Sequence, residues 1–377
     1  MPCDDIGYVE YFSTLDNQMQ AQRAPLFVVL ELTERCNLRC EHCYIHDPAR
    51  DREVQSKELT TEQWFGIFDE LAEAGCLWMT WTGGEILLRS DFVPLYRYAK
   101  AKGFLITLFT NGTLLTPGLV DFLREWYPQS VEITLYGVTA ETYEKVTGVQ
   151  EAFARSIGAI EGLVAAGVPL RLKTIMMTLN KHELLAMYDY AASLGIDFRH
   201  DGVLRPTFHG KDISGLRLPA AEVVALDFVR PTAADSFMTA YQMSADAAAS
   251  NPLYDPGRLY NCGAGFRSFH IDPYGQLTGC HMVRAPSYDL KTGSFQEGWD
   301  GFLAGLRSMR IAKDFPCLHC EISGLCQRCP AFSELENADP ETVVDYACAV
   351  AHLRAERLGI VQTRDALCYH EAVEAHQ

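Results

Sequence analysis

Long apolar runs are absent from this chain. No stretch of its 377 residues approaches the roughly 20 consecutive apolar residues that span a bilayer. The first ten residues carry Asp4 and Asp5 and no apolar core, so no signal peptide is expected, and a cytoplasmic location is the default. Positive charge is scarce as well. Lys and Arg number 32 against 49 Asp and Glu, a formal net charge of −17. Such a surface repels phosphate backbones, which argues against nucleic acid as a partner. A third scarcity is local: no cysteine lies between Cys76 and Cys262, although the chain has 13. A disulfide framework has no reason to leave that gap. Dense disulfides also belong to small secreted domains that cannot build a core. This chain is long and 48% hydrophobic, enough for a sizeable core and more than one domain. Metal or cluster ligation by reduced thiols fits the cysteines better.

The chain alternates strand and helix signals. Short apolar, β-branched runs at 26–32, 77–81, 104–109, 131–135, 170–177 and 196–199 read as strands. Between them, 60–74, 91–102, 117–126, 152–166 and 181–194 read as helices, several closed by glycine. Strict alternation with short turns predicts an α/β fold, a parallel sheet of six βα units forming a partial barrel. Chemistry in such folds sits at the carboxyl ends of the strands. The pattern breaks at 231–256, which reads as a helix plus linker. From Gly257 onward the sequence is loop-rich and in need of staples. The expected division is an extension at 1–25, the barrel at 26–230, a linker at 231–261, a cysteine-ligated domain at 262–355 and a tail at 356–377.

Two cysteine sets punctuate this pattern. Cys36, Cys40 and Cys43 follow the first strand with the spacing C-x3-C-x2-C. Three thiolates on one loop can hold three irons of a cubane cluster and leave the fourth iron open. A structural zinc wants four protein ligands, and no fourth cysteine lies nearby, though zinc in a loop is the competing interpretation. The second set is Cys262, Cys280, Cys317, Cys320, Cys326, Cys329 and Cys348; zinc ribbons are its alternative. Cys76 precedes an apolar strand and is most simply core. Cys3 and Cys368 are given no role.

The segment from Thr33 to Tyr44 resembles the signature of the radical S-adenosylmethionine (SAM) superfamily. That resemblance implies a 4Fe–4S cluster whose open iron is chelated by SAM. It also implies reductive release of a 5′-deoxyadenosyl radical, which takes hydrogen from an unreactive carbon. His42 then stands beside the adenine. Gly83, Gly84 and Glu85, ending the second strand, resemble the element that accepts the methionine ammonium. Thr110 and Asn111 close the third strand, where related enzymes line the site. Thr134 stands where relatives often have Ser, and Lys145 where many have Arg; a strand hydroxyl and a solvated helix charge are the plainer readings of these two.

The second cysteine set resembles the SPASM extension of the same superfamily, which carries two auxiliary iron–sulfur clusters, expected as 4Fe–4S. By that analogy Cys317, Cys320, Cys326 and Cys348 fill one cluster, and Cys262, Cys280 and Cys329 hold the other. The second has only three thiolates here; an open iron, a non-cysteine ligand or a ligand from elsewhere are the alternatives. His281 follows Cys280 where sulfatase-maturing relatives have Asp, which counts against that activity. With 25 residues before the first strand, the leader-binding module of many peptide maturases does not fit. A peptide substrate is then expected to need a separate leader-binding protein or no leader.

The leading expectation is a radical enzyme that modifies a ribosomally made peptide by thioether or carbon–carbon crosslink or by epimerisation. It would be served by an external electron donor of the flavodoxin or ferredoxin type. The alternatives are oxidation or decarboxylation of a small-molecule or haem-type precursor, and a non-catalytic electron carrier. Gly83-Gly84-Glu85 argues against the carrier, which needs no methionine site. Candidate substrate-side residues are Arg199, His200, Asp201 and Arg205 beyond the sixth strand, with Tyr274 and His281 flanking Cys280. They would hold a carboxylate or shuttle a proton; a solvated charged loop is the competing reading.

Overall fold

The computed structural model describes residues 23–45, 47–250, 255, 257–326 and 328–360. Cys3, Cys368, most of the 1–25 extension and most of the 356–377 tail lie outside the described residues. Six strands, β1 (Phe27–Glu31), β2 (Trp78–Thr82), β3 (Leu105–Thr110), β4 (Ser130–Thr134), β5 (Leu170–Ile175) and β6 (Asp197–Asp201), run parallel, each paired with the next. The main connecting helices are α1 (Thr61–Glu73), α2 (Phe92–Ala101), α3 (Pro117–Glu125), α4 (Ala140–Thr147), α5 (Ala152–Ala165) and α6 (Leu184–Ser193). Helix α1 shows why they form. The Thr60 hydroxyl accepts from Gln63 N–H while the Gln63 side chain accepts from Thr60 N–H, and Trp64, Ile67, Phe68 and Leu71 make one buried stripe.

Alternation along the strands gives the sheet two faces. Ile106, Leu108, Val131, Ile133 and Leu172, each 0–2% exposed, share one core with Leu123 of α3 and Ile160 and Leu163 of α5. The other face, inside the curve of the sheet, carries Glu31, Phe109, Glu132, Thr134, Lys173 and Arg199.

Two features depart from the sequence-based expectation. Helix α4 shares the β4–β5 connection with α5; its eight residues are too few for an obvious stripe, and its ends are set by the Thr139 cap and left-handed Gly148. The cysteine-rich segment is also less loop-like than its glycines suggest. Strands β7 (Ser268–Ile271), β8 (Gln276–Thr278) and β9 (Tyr288–Asp289) extend the same sheet in the order β9-β8-β7-β1-β2-β3-β4-β5-β6. β7 lies parallel to β1, pairing Phe27 with Ser268 and Val29 with His270. The free edge of β1 is thereby covered.

Helices α7 (Ala220–Asp227), α8 (Ala233–Ser250), α9 (Pro330–Asn337) and α10 (Asp345–Arg357) follow. Arg354 of α10 donates to the Asp227 carboxylate at 2.8 Å, tying α10 to α7. Among the described residues no helix is long and apolar enough to cross a membrane.

Candidate active site

The first cysteine loop is pressed onto the end of β2 by backbone contact. Gly84 N–H donates to Thr33 O at 2.7 Å and Glu85 N–H to Arg35 O at 2.9 Å, so pairing of β1 with β2 continues past both strands. A Cβ on Gly83 would overlap the Thr33 carbonyl oxygen, and one on Gly84 the carbonyl oxygens of Arg35 and Glu34. Gly83 also has φ +136°, which side chains rarely adopt. Beneath the loop, Arg35 forks onto buried Glu58 at 2.9 and 3.0 Å. Arg89 donates to Leu32 O and Leu59 O, both at 3.1 Å. The loop is thus fixed from two sides before any thiol is considered.

Glu85 is fully buried. Its Oε1 accepts from Thr110 Oγ1 at 2.7 Å and from Leu87 N–H at 3.0 Å; its Oε2 accepts from Asn111 N–H at 2.8 Å. It therefore joins the ends of β2 and β3. Asn111 Nδ2 donates to Asn37 Oδ1 at 3.0 Å, and Asn37 Nδ2 to Thr113 Oγ1 at 2.8 Å, carrying the network back to the cysteine loop. Asn111 Nδ2 also lies 3.8 Å from Cys36 Sγ. Thr134 ends β4 on the inner face. Lys145 is exposed on α4, whose last turn accepts from Arg39 N–H and Glu41 N–H.

Burial pushes the Cys36 thiol up to about 12, the Cys43 thiol up to about 11, and Cys40 higher still. Three covered thiols that resist ionisation suit a site where a cationic metal group offsets the thiolate charge. His42 stacks edge-on against Tyr136, ring centroids 5.1 Å apart. Burial pulls it down to about 4, so the ring is neutral.

The second cysteine set divides in space. Cys262, Cys280 and Cys329 all bear on the phenol of Tyr260. Cys317, Cys320, Cys326 and Cys348 line a single cavity of about 560 Å³, which Cys329 also borders. Among the described residues no three His, Cys, Asp or Glu side chains converge closely enough to hold one metal ion. Thiolates that share a cluster of several irons stand farther apart than those around one ion.

Residues 30–191 match the family model for the radical SAM superfamily. The chain is 31% identical over 343 residues to the mycofactocin maturase MftC of Mycobacterium ulcerans, covering 86% of this chain and 89% of that protein. The chain belongs to the radical SAM superfamily. It is also 35% identical over 189 residues to the AdoMet-dependent heme synthase of Methanosarcina barkeri, a match to 50% of this chain and 53% of that one. Streptococcus suis SuiB bound to its precursor peptide SuiA superposes with a TM-score of 0.64 at 17% identity, over 89% of this chain and 78% of that one. This likeness speaks to the fold. Membership in the radical SAM superfamily makes the chain an enzyme and implies SAM and a 4Fe–4S cluster, for which the Cys36, Cys40 and Cys43 loop fits.

The substrate-side residues singled out in the sequence do not meet at one point. Arg199 turns to the inner face and donates to Glu132 at 2.6 Å. His200, on the other face, has Nδ1 2.8 Å from the Tyr188 hydroxyl. Asp201 accepts from Val203 N–H at 2.8 Å. His200, Asp201 and Arg205 border the cavity of the second cysteine set. His281 is held neutral by burial, its pKa pulled down to about 4, and Tyr274 donates to Glu34 at 2.9 Å.

Sequence reasoning missed a buried polar knot between the two cysteine sets of this radical SAM chain. Glu31, 0% exposed at the end of β1, accepts from Arg284 Nη2 at 2.7 Å and from the Tyr44 hydroxyl at 3.2 Å. His270 of β7 lies 3.4 Å from the same carboxylate. Burial alone would raise Glu31, but His270 and Arg284 outweigh it and hold the carboxyl below its usual range. Arg284 also donates to His281 O at 3.1 Å and lies over the Phe208 ring at 4.3 Å. The segment after Cys43 is thus joined to the one after Cys280. An acidic residue inside a run of apolar strand residues, Leu30-Glu31-Leu32, was the available signal.

Proposed function

We propose that the chain is a radical SAM enzyme with two auxiliary clusters that modifies a ribosomally made peptide by crosslink, thioether or epimerisation. Similarity to the mycofactocin maturase MftC along 86% of the chain carries this reading, because it extends well beyond the residues 30–191 that match the radical SAM family model. On this reading residues 26–230 form the radical-generating barrel, 231–261 a linker, and 262–355 the auxiliary-cluster domain. Cys36, Cys40 and Cys43 would hold the 4Fe–4S cluster, which together with SAM would supply one-electron radical chemistry. Gly83, Gly84 and Glu85 shape the methionine end of the pocket, with Thr110, Asn111, Thr134 and Lys145 around it and His42 beside the adenine. Cys317, Cys320, Cys326 and Cys348 hold one auxiliary cluster; Cys262, Cys280 and Cys329 supply three ligands to the other. The Glu31–Arg284 knot keeps the barrel loop and the Cys280 hairpin in fixed relation. An external electron donor of the flavodoxin or ferredoxin type completes the system.

A second reading, oxidation or decarboxylation of a small-molecule precursor, is favoured by the similarity to the heme synthase over half of the chain. The test is anaerobic incubation with SAM, reductant and any short peptide encoded beside the gene. Mass spectrometry should show loss of two hydrogens or, for epimerisation, deuterium uptake at one α-carbon. An unchanged peptide, with turnover of a porphyrin carboxylate instead, would favour the second reading.

A further inference from the structure

Two arginines stand among the cysteines of the second set without a carboxylate of their own. Arg307, in the short helix Ala304–Ser308, is 9% exposed. Its Nη1 donates to Tyr260 O and, at 3.0 Å, to Cys262 O, while its Nε is buried without a hydrogen-bond partner. Arg205, beyond β6, is half-buried and borders the cavity that Cys329 also borders. Its Nε is likewise buried and unpartnered, and its guanidinium carbon lies 5.9 Å from the centre of the Phe332 ring. Among the described residues neither arginine forms an ion pair. The carboxylates nearby are engaged elsewhere or lie in water. Asp255 faces Arg258 and Arg310, Glu336 faces Arg217, Asp227 faces Arg354 and Glu31 faces Arg284. Asp201, Glu321 and Glu334 are exposed. Burying an arginine without an anion is costly, and what faces these two is sulfur. Burial and then the charge of Arg258 pull Arg307 below its usual range, and the Cys262 thiolate opposes them. Burial pushes the Cys280 thiol up to about 11, and the Arg205 charge opposes that. The first cysteine set faces the other sign. Glu85 bears on Cys36, and Glu31 on Cys43, the latter offset by Lys211.

We propose that Arg307 and Arg205 are the counter-charges of the cluster ligated by Cys262, Cys280 and Cys329 and raise its reduction potential. This rests on the reading with two auxiliary clusters. A cluster held by thiolates is anionic, and reduction adds one more negative charge to it. A cation beside the ligands therefore favours the reduced form over the oxidised one. Burial of Arg307 keeps water from screening that effect. The role is electrostatic, so the charge of these side chains decides it and not their shape.

The test is a redox titration of the reconstituted full chain with dithionite, followed by electron paramagnetic resonance. The signal missing from Cys280→Ala marks this cluster. Arg307→Met and Arg205→Met are compared with Arg307→Lys and Arg205→Lys, which keep the charge. Each Met variant should lower the reduction constant of the marked cluster at least tenfold, a midpoint fall of about 59 mV for one electron. The Lys variants should recover most of that fall, and the signal that depends on Cys36 should stay in place. Arg205 makes no hydrogen bond among the described residues, so its variants should fold even if Arg307→Met does not. An unmoved midpoint in Arg205→Met, or equal falls in the Met and Lys variants, overturns the proposal. A wild type that takes up only about four irons per chain fails the two-cluster reading itself, which separates that failure from this one.

Discussion

Gly84→Ala is expected to empty the first iron site while sparing the second cysteine set. The Cβ would meet carbonyl oxygens of Arg35 and Glu34, which are backbone atoms of the cysteine loop and cannot rotate away. The loop must lift, which breaks the hydrogen bonds from Gly84 to Thr33 and from Glu85 to Arg35. Overpacking of this kind costs about 3 kcal/mol or more. Cys36 then moves relative to Asn111, and the three thiols no longer share one centre. Iron analysis after reconstitution should show a loss of about four irons per chain. Gly66→Ala is the control. It lies in α1 with open space around its Cβ, and should be neutral or stabilising by about 0.5–1 kcal/mol. Full iron content in Gly84→Ala would mean that the loop does not rest on β2 as described.

Glu31→Leu is expected to destabilise the fold by about 1–3 kcal/mol, because it removes the nearer carboxylate from the part-buried Arg284 guanidinium and leaves it Glu34 at 3.6 Å. Urea unfolding at pH 7 measures it. The pH dependence follows from the depressed carboxyl of Glu31. Its stabilisation is present above the unfolded value of about 4.3 and fades as pH falls through the lower folded value. The gap between wild type and Glu31→Gln should therefore be present at pH 7 and close in acid. A gap that persists undiminished in acid would contradict the ion pairing.

The barrel was legible because each βα unit repeats one local rule. Runs such as Leu26-Phe27-Val28-Val29 end at a chemistry-bearing turn, and all six strands stand within a few residues of their expected bounds. The positions of the cysteine loop after β1 and of Gly83-Gly84 after β2 were legible because both follow from where a strand ends. What escaped depends on contacts distant in sequence. β7 is four residues long and becomes a strand because the edge of β1 needs a partner some 240 positions away. Glu31 and Arg284 meet for the same reason. Lys173 and Glu132 look like ordinary solvated charges in sequence; only the strand register puts them on the inner face with Phe109. Arg199, His200 and Asp201 are consecutive, so strand alternation sends their side chains to different faces, which the motif-like grouping in sequence conceals.

The most direct measurement is iron and sulfide content after anaerobic reconstitution, with 5′-deoxyadenosine release under reductant, in the wild type and in Cys36→Ala/Cys40→Ala/Cys43→Ala. One SAM cluster and two auxiliary ones require about twelve irons in the wild type and about eight in the variant. 5′-Deoxyadenosine should form only with the wild type. Zinc in place of iron, or SAM cleavage that survives loss of the three cysteines, would contradict the assignment of Cys36, Cys40 and Cys43 as the radical-generating site.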